Sequence, residues 1–139
     1  YVHDGVVPRS RIPEVIDRIA AISAEHGLPV ATYLHAGDGN LHPNVLFDAR
    51  RPGEAQRAQA AGEAILRACV ELGGVLSGEH GIGLEKQAYL PWQLSEADLR
   101  AQGQVKRSWD PQGKLNPGKI FPVPGFCGEV RGASRLPKP

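Results

Sequence analysis

The sequence predicts an α+β fold, an antiparallel sheet with helices on one face, followed by a C-terminal helical segment. Two observations predict it. Helix-like windows alternate with short strand-like ones in the order helix, strand, strand, helix, strand, and runs of glycine fall at the joints between them.

Tyr1 to Pro8 reads as the end of a strand entering a turn. Ser10 is the expected N-cap of the first helix, with Pro13 tolerated in its first turn. Ile12, Val15, Ile16, Ile19, Ala20 and Ile22 share one helical face, and Gly27 stands where a C-cap glycine stands, so this helix spans 11–26. Residues 29–35 (PVATYLH) alternate and are β-branched, as a strand requires, and 42–48 (HPNVLFD) read as its hairpin partner across the turn AGDGN at 36–40. A second helix, rich in Ala, Glu, Gln and Arg, is expected over 52–72 and ends at Gly73 and Gly74. Val75 and Leu76 read as a short strand before the glycine-rich loop SGEHGIG at 77–83. Leu84 to Tyr89 is a helical turn stopped by Pro91. Ser95 as N-cap, with Asp98 three residues on, starts a last helix over 95–109. Residues 110–122 are dense in turn formers, and the tail beyond them is expected to be disordered.

The 139 residues fit one domain, and 41% hydrophobic with 22% charged residues are ordinary for a globular chain. A net charge of +1 excludes a strong nucleic-acid or membrane-surface field. No apolar run approaches the roughly 18 residues of a membrane span. Cys69 in a helical pattern and Cys127 in a polar tail do not suggest a disulfide, and a cytoplasmic setting follows, with membrane association only through partners. The chain starts at Tyr1 and contains no methionine, which predicts a piece of a longer protein.

The chemistry gathers in two loops. His35 and His42 bracket AGDGNL, so a hairpin brings both imidazoles beside one ion, and two neutral imidazoles call for an anionic third ligand. Glu79 supplies it. Its neighbour His80 points another way, and a histidine suits proton abstraction near neutral pH. Other readings stay open at this stage. His3 and His26 read as structural or surface residues, the glycine loops as mere tight turns, and Asp38 and Asn40 as turn residues bonded to their own backbone. A stand-alone metal-binding or metallohydrolase domain would use the same His35, His42 and Glu79.

HAGDGNLHPN at 35–44, GEHGIGLEK at 78–86 and NPGKIFP at 116–122 resemble, in order and spacing, the C-terminal domain of the FAD-linked oxidases. That family includes glycolate oxidase FAD subunits, D-lactate dehydrogenases and D-2-hydroxyglutarate dehydrogenases. The resemblance implies half of a ferredoxin-like cap domain over 1–90, a segment returning to an N-terminal FAD domain over 91–122, and a tail at 123–139. It implies oxidation of a small D-2-hydroxy acid to the 2-oxo acid with FAD as hydride acceptor. In it His35, His42 and Glu79 bind a divalent metal such as zinc, and His80 is the base. Asn44 contacts substrate and Asn116 touches FAD. Arg9 and Lys86 are the local basic candidates for the substrate carboxylate. The FAD domain of the same protein and an electron-acceptor subunit are the implied partners.

Overall fold

The computed structural model describes residues 1–121, so Cys127 and the tail at 123–139 lie outside the described residues. The chain divides into two compact units, Tyr1–Gly81 and a second beginning at Ile82.

The first unit contains a three-stranded antiparallel sheet and two helices. The sheet is ordered β1 (Gly5–Val6), β3 (Asn40–Val45), β2 (Val30–His35), with β3 central. The helices are α1 (Ile12–His26) and α2 (Glu54–Glu71), and the α+β expectation holds. Period-two alternation sorts the sheet into two faces. Tyr33 pairs with His42, and Leu34 with Leu41. Val30, Leu34, Leu41 and Val45 therefore share the face that meets Val15, Ile19, Ala58, Ala61, Ile65 and Cys69 of the helices. Each large aliphatic side chain buried there stabilises the fold by about 1.5–3 kcal/mol.

Gly27 caps α1 in the left-handed region (φ 61°), with its N–H and that of Leu28 donating to Ala24 and Ser23 carbonyls. Ser10, however, is not the N-cap. Arg9–Arg11 form a 3₁₀ turn, and Arg11 takes the cap position with no side-chain bond. Pro13, the second helical residue, offers no N–H for a side chain at the Arg11 cap to bond.

Three other expectations shift. β3 starts at Asn40, so His42 lies inside the central strand rather than at its start. Val75 makes a single bridge with Val6 and no strand. The chain meets the β1 edge there, at a point where a Cβ on Gly74 would lie 1.8 Å from the Val6 carbonyl oxygen. Pro43 within β3 has no N–H to return to β1. His3 N–H still donates to the Pro43 carbonyl at 3.0 Å, and the β1 edge reduces to the pair Gly5–Val6 and a bridge at Val2.

In the second unit a 3₁₀ helix spans Gln87–Trp92 with Pro91 inside it, where the sequence had suggested a stop. The tighter winding accommodates a ring that an α-helix interior would reject. α3 (Glu96–Trp109) starts with the expected capping box: Ser95 Oγ accepts from the Asp98 N–H, and Asp98 accepts from the Ser95 N–H. No residue of α3 is buried, and Val105, Trp109, Leu115 and Ile120 are all exposed apolar side chains. Asp110 gathers the C-terminal end of α3. It accepts from the Lys106 ammonium and from the backbone N–H groups of Lys114 and Leu115.

Candidate metal and acid–base site

The sheet face turned away from α1 and α2 carries the polar residues. On β2 and β3 they are Tyr33, His35, Asn40, His42 and Asn44, alternating with the core residues. On the β1 side Gly5 pairs with Leu41 and Val2 with Asn44, so the same register puts Asp4 opposite His42. That pair falls between hydrogen-bonded positions of the ladder, where side chains on one face stand closest.

Two backbone devices bring loops to this face. The 36–39 turn closes when the N–H groups of Asp38 and Gly39 donate to the His35 carbonyl. Gly39 has φ 81°, and a Cβ on it would lie 2.1 Å from the Val7 carbonyl oxygen, so only glycine fits. The second device is the Val6–Val75 bridge, which carries the chain from the end of α2 into Ser77–Gly81.

The candidate side chains then converge. Glu79 Oε1 is 2.9 Å from His42 Nε2, 3.8 Å from His35 Nε2 and 3.9 Å from His80 Nε2. His35 meets His42 edge-on with ring centroids 5.3 Å apart, while His80 and Tyr33 stack nearly parallel to it at 5.1 and 4.7 Å. The His42 side chain is only 2% exposed, whereas those of His35, Glu79 and His80 are about half exposed. The site therefore has a buried base plate and an open mouth. His42 Nδ1 is buried with no hydrogen-bond partner.

These donors fit a divalent ion. Tetrahedral ligands at about 2.1 Å from zinc stand about 3.4 Å from one another. The observed 2.9–3.9 Å separations from the Glu79 oxygen bracket that value. The group whose ligand atoms all lie within 4.8 Å of one another is Asp4, His42, Glu79 and His80, which takes in the expected base His80 and leaves out the expected ligand His35. Asp4 was not foreseen from the sequence. The available signal was an acidic residue in an otherwise apolar strand end, YVHDGVVP, where strand propensity disfavours it.

The remaining sequence candidates each belong to one of the two units. Asn44 is on the same face, but its Nδ2 donates to the carbonyls of His42 (2.8 Å) and Ala31 (3.0 Å), which leaves Oδ1 for other partners. Arg9 sits exposed in the 3₁₀ turn of the first unit. Lys86, which is buried, and Asn116, in a left-handed turn with φ 46°, belong to the second unit. His3 is a packing residue on the opposite face, buried against Tyr1 and under α2, where a Cβ on Gly62 would lie 1.9 Å from its Nε2.

Residues 1–120 match the family described as FAD linked oxidases, C-terminal domain. The chain is 47% identical over 129 residues to the glycolate oxidase subunit GlcD of Escherichia coli, covering 93% of this chain and 26% of that protein. It is 38% identical to a D-lactate dehydrogenase of Anaerostipes hadrus, over 84% of this chain and 25% of that protein. It is 33% identical to a D-2-hydroxyglutarate dehydrogenase of Stutzerimonas stutzeri, over 87% of this chain and 27% of that protein. The chain thus spans about a quarter of the length of the curated relatives it matches. No helix among the described residues is long and apolar enough to cross a membrane.

Proposed function

This chain belongs to the C-terminal domain family of the FAD-linked oxidases, and from that premise we propose that it forms the metal and acid–base half of a flavin-dependent oxidoreductase. The substrate is a small D-2-hydroxy acid of the glycolate or D-lactate type, and the product is the 2-oxo acid. The observation that carries the reading is the meeting of three imidazole Nε2 atoms around one Glu79 carboxylate oxygen, on an open sheet face.

His35, His42 and Glu79 hold the ion, two neutral imidazoles and one anionic carboxylate. A divalent ion such as zinc held there would supply Lewis acidity, lowering the pKa of the substrate hydroxyl. His80 Nε2 takes the hydroxyl proton. Asn116 would touch FAD held by a separate N-terminal domain, and that FAD would supply the hydride acceptor. Asn44 presents Oδ1 to the substrate, and Arg9 is the basic group of this unit proposed to pair with the substrate carboxylate. The exposed apolar residues Leu115 and Ile120 support a second unit that packs on the FAD domain. An electron-acceptor subunit and a cytoplasmic location complete the reading.

The test is anaerobic flavin reduction by glycolate or D-lactate in the protein that joins this chain to its flavin domain. His80→Asn is expected to slow reduction by about 10²–10⁴-fold while bound zinc stays at the wild-type level. Reduction at the wild-type rate in that variant would remove His80 from the chemistry. A metal-dependent hydrolase activity without flavin would replace the whole reading.

A further inference from the structure

Resting on the metal-site reading above, we propose that Asp4 is the positioning residue of this site. Its carboxylate holds the backbone of residues 78–80 and so fixes where Glu79 and His80 present their side chains.

Asp4 is fully buried. Its Oδ2 accepts from the Ser77 hydroxyl and from the N–H groups of Gly78 (3.0 Å), Glu79 (3.1 Å) and His80 (2.9 Å). Oδ1 also accepts from the Glu79 N–H at 3.2 Å. Successive N–H groups aimed at one point make a concavity suited to an anion, and here the chain fills it with its own carboxylate. Ser77 Oγ accepts in turn from the Gly81 N–H at 2.8 Å, so the backbone donors of 78–81 are all engaged. From the other side the loop presses on β3, where a Cβ on Gly78 would lie 2.7 Å from Asn40 Cγ. The loop is therefore fixed at its backbone while its functional side chains stay half exposed.

Asp4 also lies within the group of residues spaced to hold an ion, so direct ligation is the competing role. Its Oδ2 already receives four donors, so an ion would have to use Oδ1, and the spectrum of bound Co²⁺ separates the two roles.

The experiment uses this chain and its Asp4→Asn and Ser77→Ala variants. Hydrogen exchange at single amides is measured without metal, and Co²⁺ binding is followed by visible absorption. In Asp4→Asn the amides of Gly78, Glu79 and His80 are expected to exchange at least about tenfold faster, while Ile65 and Leu66 keep their protection. Co²⁺ affinity should fall about 10–100-fold, with the spectrum at saturation unchanged because the ligands are the same. Ser77→Ala should move both readouts the same way by less, and it carries the test if Asp4→Asn does not fold. A changed spectrum at saturation would make Asp4 a ligand and overturn the proposal. Unchanged exchange at 78–80 would overturn it as well. If the unaltered chain takes up no Co²⁺, the metal reading falls, and exchange at 78–80 alone decides the role of Asp4.

Discussion

His42 Nε2 and Glu79 Oε1 lie 2.9 Å apart, one side chain buried in the central strand and the other half exposed on the loop after α2. The contact ties the hairpin to a loop that the sequence places beyond an entire helix. A buried imidazole facing a carboxylate, with two further imidazoles at hand, is the donor set on which the proposed metal site rests.

Glu79→Gln is therefore expected to weaken zinc retention by this chain, because it removes the anionic ligand. His42→Ala should do the same and should also leave a cavity in the sheet. Zinc content after dialysis against a weak chelator reads both. Full retention in Glu79→Gln would assign the anionic ligand elsewhere.

Gly62→Ala tests the packing of α2 on the sheet. Alanine gains about 1 kcal/mol of helix propensity over glycine. The new Cβ, however, would lie 1.9 Å from His3 Nε2. Overpacking of this kind costs typically about 1–3 kcal/mol, so a net loss of stability in urea unfolding is expected. Adding His3→Ala should return much of that loss if the collision is the cause, and independent effects in the double variant would exclude it.

Gly74→Ala should be more damaging to the site than to the core. Its Cβ meets the Val6 carbonyl oxygen at 1.8 Å, a backbone atom that cannot rotate away. The Val6–Val75 bridge should break and release the loop that carries Glu79 and His80. The measurement is exchange of the Val75 amide, which donates to Val6 in the intact chain. Retained protection of that amide would count against the argument.

Stability should fall in acid through two carboxylates. The Lys106 ammonium holds the Asp110 carboxyl below its usual range, and the N–H groups of Leu115 and Lys114 add to this against the opposing effect of burial. The Asp48 N–H does the same for Glu54, with help from Arg51 and Arg57 and again against burial. Both folded-state pKa values lie below the unfolded ones, so both groups stabilise the fold fully above the ordinary carboxylate range of about 4. That contribution is lost as the pH falls through the lowered folded values. Asp110→Asn and Glu54→Gln should each flatten the dependence of melting temperature on pH below about 4. A slope identical to the unaltered chain would argue against both assignments.

Much of the fold was legible in the chain. Apolar spacing marked α1, the Gly27 cap followed from a glycine at the end of that pattern, and Ser95 with Asp98 announced α3. These signals are local, since each depends on residues within one or two turns. The departures came where backbone chemistry competed. A 3₁₀ turn over Arg9–Arg11 moved the start of α1 past Ser10, and Pro91 was carried through a tighter winding rather than ending it.

By itself the sequence determined that His35 and His42 flank a glycine turn and that a Glu-His pair stands in a second glycine loop. It also carried the motifs by which the family is known. The tertiary structure alone decided which sheet face stays open and that the second loop lies over it. It also decided that Asp4, far away in the chain, anchors that loop through three consecutive backbone N–H groups. The physical reason is that strand alternation says which side chains share a face. Which face the helices cover, and which loop reaches the other, depends on pairing between distant segments, and no local pattern encodes it.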